Sequence, residues 1–256
     1  MGGESVVLEI EDVQMSDHTK DTYRKRIKSR DLVSFHVSVK ETDLWVSADR
    51  NLEKDTRDLI FDYRHQLESY IRSNPEFLTT LNPYPEDPYA PPMVKEMINK
   101  TRTIGVGPMA SVAGAMAQFV ASGLLEMTQQ VIVENGGDIY LKVNRPVTVS
   151  IFAGESPLSE KIGLEIPTRQ MPIGICSSSG TVGHSLSMGA SDVVCLLSSS
   201  AVLADGGATA LGNRIKSQEQ LESVAQWAGE MEDILGGVVV MGDRMAAWGD
   251  VELVSL

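Results

Sequence analysis

Only two cysteines, Cys176 and Cys195, occur in this 256-residue chain, too few for a disulfide framework or a thiolate metal site. Both stand in apolar contexts that predict buried free thiols, and no histidine is placed locally to activate Cys176 as a nucleophile. The four histidines, His18, His36, His65 and His184, have no metal-ligand spacing, which argues against zinc. Basic residues are scarce: 22 Lys and Arg against 35 Asp and Glu leave a net charge of −13. A surface that negative repels nucleic acid and anionic membrane, so neither is expected as a partner. The one basic cluster, Arg24-Lys25-Arg26 to Lys28-Ser29-Arg30, lies between Asp21 and Asp31 and reads as a solvated turn. No apolar run reaches the roughly 18 residues that a spanning helix needs. The N-terminal stretch has no cationic region ahead of an apolar one, so no signal peptide is expected, and the chain reads as cytoplasmic. A G-x-S-x-G elbow and a G-x-x-x-x-G-K-[ST] loop are both absent.

What is present reads as strands and helices interspersed. Val6–Ile10 is strand-like, and Phe35, Val37 and Val39 alternate with polar residues; Asp43–Ser47 follows as a hairpin partner, which together suggest a β-meander. From Leu52 to Arg72 the apolar spacing turns helical, with Leu59, Ile60, Tyr63, Leu67, Tyr70 and Ile71 on one stripe, and Ser73-Asn74-Pro75 stops it. Residues 81–92 carry five of the eleven prolines and predict a rigid extended loop across the surface. A short helix is expected over Met93–Lys100 and another from Gly107 to Gly123, with Pro108 at its first position. Strands are expected at Val131–Val133, Ile139–Leu141, Thr148–Phe152 and Ser191–Leu197. A helix follows Ser198-Ser199-Ser200, any of which can cap it. Ser217–Gln220 fits a capping box opening a last helix, and Val238–Met241 with Val251–Val254 suggests a closing hairpin. Hairpin signals outnumber crossover units, so the expected fold class is α+β, a mostly antiparallel sheet with packed helices. The expected organisation is one domain over 1–256, with a meander and helix to 80, the proline-rich loop 81–92, a motif-bearing core 93–215, and a closing helix and hairpin 216–256.

Three motifs carry chemistry, each with a structural alternative. In Ala204-Asp205-Gly206-Gly207-Ala208-Thr209, the Asp205 carboxylate and Thr209 hydroxyl fall on one helix face. Such hard oxygens suit magnesium, which keeps coordination positions for substrate phosphates. Alternatively, Thr209 bonds the carbonyl four residues back and Asp205 complements a helix dipole. Glu134-Asn135-Gly136-Gly137-Asp138 reads either as a turn that admits a ligand to the backbone or as a plain hairpin turn. Gly105-Val106-Gly107-Pro108-Met109-Ala110 matches G-x-G-x-x-A, but no convincing strand precedes it. What remains is an anion site at a helix N-terminus, or close packing through small residues at Gly107, Ala110, Ser111 and Gly114.

In that order these pieces resemble the ApbE superfamily, best known for FAD:protein FMN transferases. The resemblance rests on Gly136-Gly137-Asp138, Ser178-Ser179-Gly180, His184 and the Asp205–Thr209 helix, over roughly residues 105 to 213. A shorter branch of that superfamily, to which no activity is assigned, is similar over most of the chain. Its marks are Arg72-Ser73-Asn74-Pro75-Glu76-Phe77, Val106–Ala110, Glu134–Asp138, Gly183-His184-Ser185 and Ala210–Asn213. The resemblance implies an α+β core and a flavin nucleotide, FAD or a relative, held with Mg2+. The metal ligands would be Asp205 and Thr209. Cofactor contacts would come from Gly107, Pro108, Met109, Gly136, Gly137, Asp138, Ser178, Ser179 and Gly180, with His184 as the catalytic base by position.

Departures bear on activity. The transferases carry a K-G-Y-A-x-D segment where this chain has Pro108–Gly114, with neither lysine nor acid. The loop from Gly180 to His184 is shorter, and no lipoprotein cysteine stands near the N-terminus. This weighs against protein flavinylation and leaves a metal-assisted phosphate site. Three readings follow: a magnesium-dependent flavin-nucleotide transferase or pyrophosphatase, a non-catalytic flavin-binding module, or an interaction protein on an emptied scaffold. The expected partner is a small-molecule nucleotide, and the small-residue helix makes a homodimer conceivable.

Overall fold

The computed structural model describes residues 31–180 and 189–256, together with the backbone of residues 6–9. The basic cluster Arg24–Arg30 lies outside them. Among the described residues, nine antiparallel strands form one sheet and three form a second. Helices cover one face of the large sheet, and the small sheet covers the other.

Half of the large sheet is made of hairpins. β2 (Val33–Val39) and β3 (Thr42–Ala48) pair in register Val37↔Leu44, burying Phe35, Val37, Val39, Leu44 and Val46 beneath the helices. Alternation in β2 therefore reports a sheet covered on its inner face. β4 (Val131–Asn135) pairs with β3 and then with β5 (Asp138–Lys142), so Asn135 faces Asp138 across a two-residue turn. Gly136 and Gly137 make that turn with φ of +63° and +108°, a backbone that L side chains resist.

The other half is completed by long-range pairing. β1 (Val6–Glu9) does not join β2; it lies at the opposite edge, against β11 (Arg244–Gly249). The expected N-terminal meander is thus a hairpin plus a remote edge strand. β10 (Ile234–Met241) pairs with β11 and with β9 (Val193–Ser198), which pairs with β8 (Ile173–Ser178). The expected closing hairpin is also corrected. Residues 251–254 are not the partner of 238–241, since β12 (Glu252–Ser255) joins β7 (Ile162–Ile166) and β6 (Val147–Ser150) in the small sheet.

α1 (Glu53–Ser73) buries Thr56, Ile60, Leu67 and Tyr70 and ends where the Asn74 side-chain amide donates to the Tyr70 carbonyl. α2 (Glu76–Thr79) inserts Phe77 edge-on between the Tyr70 and Tyr84 rings. The proline-rich segment is a covering loop held by buried Tyr84 and Ala90. α3 (Pro92–Ile104) runs one turn longer than expected, to a left-handed Gly105. The next helix opens as a 3-10 turn over Pro108–Ser111 and becomes α4 over Val112–Leu124. α5 (Ala201–Arg214) carries the Asp205 motif; its Ser200 cap accepts from the Leu203 N–H. The last predicted helix is instead a 3-10 segment, Gln218–Ser223, followed by a short α6, Val224–Ala228.

Candidate functional site

α4 and α5 cross in contact because the small residues between them allow it. A Cβ on Gly114 would fall 2.4 Å from the Ala201 carbonyl oxygen and 2.8 Å from the Asp205 Cβ. Into that crossing Asp205 sends its carboxylate: the Gly114 N–H donates to Oδ2 at 2.8 Å, and the Ala113 N–H also bonds it. Asp205 therefore sits beyond the first turn of its own helix, which holds no acidic residue, and complements the N-terminus of α4 instead. The anion expected at this glycine-rich N-terminus is supplied by the chain itself.

The Gly136-Gly137 turn brings a second carboxylate to the same place. Asp138 is buried and its Oδ1 accepts from the Ser177 N–H at 3.2 Å. The Asn135 side chain ties the turn to α4 by donating to the Ala113 carbonyl at 3.1 Å. Burial, then the Asp205 charge, raises Asp138 well above the usual carboxylate range. Burial pushes Asp205 up to about 7, against the opposing Gly114 and Ala113 N–H bonds. The two acids thus hold a proton near neutrality unless a cation replaces it. Cys176, on the same face, donates to the Ala201 carbonyl, and burial followed by the Asp138 charge holds its thiol well above the ordinary value. That excludes a resting thiolate nucleophile.

Asp205 and Asp138 open onto a cleft of about 1610 Å³. Asp205, Thr209, Gly136, Gly137, Asp138, Gly107, Met109, Ser178 and Ser179 all line it. Pro108 is buried and does not line it; neither does Gly180, whose N–H donates to the Ser191 carbonyl. Gly107 is also a packing residue, since a Cβ there would fall 1.9 Å from the Thr80 carbonyl oxygen. His184 lies outside the described residues. The Thr209 hydroxyl makes no hydrogen bond among the described residues, so the back-bond to its own helix is not formed. The buried Ser178 hydroxyl likewise has no partner there.

Sequence reasoning missed the far side of the cleft. Trp45 and Glu134 are cross-strand partners there, beside Ile139, Ile151, Ile175 and Val193. Alternation marks Trp45 as outward-facing, but only the β3–β4 register joins it to Glu134. Five carboxylates, Glu41, Asp43, Glu134, Asp138 and Asp205, line this cleft against one guanidinium. That group, Arg214, pairs with Glu230 at 2.7 Å and covers the Trp227 ring.

The donor set suits a hard cation. Asp205 and Thr209 offer oxygen ligands with the Asp138 carboxylate nearby, and no cluster of three or more His, Cys, Asp or Glu forms a protein-only metal site among the described residues. Few protein ligands with open positions fit a magnesium ion that shares its shell with substrate phosphates.

Comparison with known proteins agrees with this architecture. The chain is 41% identical over 212 residues to a UPF0280 protein of Methanocella arvoryzae, covering 82% of this chain and 86% of the relative. A UPF0280 protein of Methanothrix thermoacetophila is 42% identical over 195 residues, covering 75% and 81%. The apo flavinyl transferase ApbE of Pseudomonas stutzeri has the same fold, with TM-score 0.57 at 15% identity over 88% of this chain and 94% of that one. A mutant of the flavin transferase ApbE from Vibrio cholerae superposes with TM-score 0.56 at 15% identity, covering 86% and 97%. The family model described as "AbpE bacteria" matches residues 24–240, and the chain belongs to that ApbE-like family.

Proposed function

We propose that the cleft binds a flavin nucleotide, FAD or a close relative, together with a magnesium ion, and transfers or hydrolyses it in the cytoplasm as a single-domain enzyme. The observation that carries this reading is the pairing of Asp205 with Asp138, buried and raised together, beside a Thr209 hydroxyl that makes no hydrogen bond among the described residues. A nucleotide phosphate cannot enter so acidic a cleft alone, because Arg214 is already paired. A cation on Asp205 and Thr209 would replace the shared proton and admit the phosphates. When bound, it supplies neutralisation of the charge that builds on phosphate oxygens as a pyrophosphate bond breaks.

The chain's own groups do the rest. Gly136 and Gly137 leave open space where a side chain would stand, so ligand can approach their backbone. The Ser178 hydroxyl, without a partner among the described residues, would donate to a phosphate oxygen. Across the turn, Trp45 with Ile139, Ile175 and Val193 offers an apolar wall for a planar ring.

Thermal melting with FAD, FMN and magnesium tests the reading. Specific binding stabilises by about 2.7 kcal/mol at a hundredfold excess over Kd. FAD should raise Tm, more so with magnesium, and Asp205→Ala should abolish the magnesium-dependent part. The absence of any shift with either flavin would overturn the reading.

A further inference from the structure

Adjoining the cleft, a cavity of about 550 Å³ lies among α1, α2, the start of α4 and the β2–β3 turn. That volume falls within the roughly 300–1,000 Å³ of small-molecule sites. Leu67, Ile71, Val112 and Met116 give it apolar walls, and two guanidinium groups, Arg64 and Arg72, line it as well.

The two arginines differ in what occupies them. Arg64 donates to the Thr42 hydroxyl at 2.7 Å, to Glu68 at 2.9 Å and to Glu41, so it anchors α1 to the β2–β3 turn. Its Nε has no partner among the described residues. Arg72 is exposed and donates only to the Ser69 hydroxyl, at 2.8 Å, with no carboxylate partner among the described residues. Every other informative position of Arg72-Ser73-Asn74-Pro75-Glu76-Phe77 has a structural task. Asn74 closes α1, Pro75 opens α2, Phe77 fills the core, and Glu76 bonds Tyr84. Arg72 is left without such a task, and it lines a cavity in a chain of net charge −13.

We propose that this cavity binds a small amphiphilic carboxylate, its apolar body against Leu67, Ile71, Val112 and Met116 and its head on the Arg72 guanidinium. A planar carboxylate matches the guanidinium fork, which an ammonium group cannot offer. The lining charges balance, Arg64 and Arg72 against Glu41 and Glu68, but both carboxylates bond Arg64, which leaves the Arg72 guanidinium to a ligand's single negative charge. This site shares Glu41, Leu78, Val112, Ala113 and Asn135 with the cleft, but Arg72, Leu67, Ile71 and Met116 line this cavity and not the cleft, and the carboxylate proposal rests on them rather than on the flavin reading.

Isothermal titration of the full chain with octanoate, and with octan-1-ol as the neutral counterpart, tests it. Octanoate should bind saturably at one site, and octanol about tenfold or more weaker, the worth of one charge-assisted hydrogen bond. Arg72→Gln should weaken octanoate by about the same factor. Arg72→Lys keeps a positive charge in the last turn of α1, so stability should hold while affinity still falls. Leu78 lines the cavity and is 50% exposed, so Leu78→Asp should fold normally and repel the anion, which guards against a misfolded Arg72 variant. No saturable octanoate binding, equal affinity for octanol, or affinity unchanged by Arg72→Gln would each overturn the proposal; loss with Leu78→Asp alone would place octanoate in the cleft, which Leu78 also lines, and overturn it too.

Discussion

The Gly114 N–H and the Asp205 carboxylate, 91 residues apart in sequence, are joined by a buried 2.8 Å hydrogen bond that ties the start of α4 to the middle of α5. One contact thereby caps a helix, fixes two helices at close approach and holds a carboxylate at the wall of the cleft. Gly114→Ala should break all three, because its Cβ has no room against the Ala201 carbonyl and Asp205. Overpacking of this kind costs roughly 1–3 kcal/mol. Chemical denaturation should show a loss of that size, along with weakened magnesium binding. Unchanged stability would mean the crossing is looser than described.

The pH dependence of the metal-free protein should follow the buried acids. The folded state raises Asp205 from 3.8 to about 7, chiefly by burial. Between those values the folded protein keeps a proton that the unfolded chain has released, so stability falls as pH rises through that window. Tm of the metal-free protein should therefore drop between about pH 4 and 7. Magnesium should flatten the profile by taking the proton's place, and Asp205→Asn should reduce the slope without metal, leaving the part due to the burial of Asp138. A wild-type slope matching that of Asp205→Asn would refute the burial of charge at this crossing.

Ser178→Ala separates a ligand role from a structural one. Its hydroxyl is buried with no partner among the described residues, a state that costs about 1–3 kcal/mol. Removing it should leave stability unchanged or raise it, while FAD binding weakens. A structural serine would instead lose stability on substitution, which differential scanning calorimetry would reveal.

Much of this site is legible in local sequence, and what is not has a common physical cause. The alternation of Phe35, Val37 and Val39 and the stripe from Leu59 to Ile71 report surfaces buried on one side, and those elements form where the pattern puts them. The Gly136-Gly137 turn is legible because only a hairpin uses two adjacent left-handed residues so compactly. β8 is not, because Ile173, Gly174, Ile175 and Cys176 are buried on both faces, by α5 and by the small sheet, and so lose their alternation. β1 joins β11 across almost the whole chain, and no local signal carries such a partner. The same holds for Asp138 and Asp205: each is visible alone, but their shared burial exists only once the hairpin meets the α4–α5 crossing.

Thr209→Val addresses the cation most directly. Valine keeps the shape of threonine and removes only the hydroxyl, which makes no hydrogen bond among the described residues. Stability of the metal-free protein should therefore change little, within about 0.5 kcal/mol as for substitutions that touch no buried partner. If that hydroxyl is a cation ligand, magnesium should lose affinity, and the magnesium-dependent part of the FAD-induced Tm rise should shrink with it. Calcium, which accepts more oxygen ligands in looser geometry, should be affected less. The pairing of an unperturbed metal-free fold with a selective loss of magnesium response distinguishes a ligand from a packing residue. If Thr209→Val unfolds the protein, or leaves the magnesium response intact, the assignment of Thr209 fails, and Asp205 and Asp138 must be considered without it.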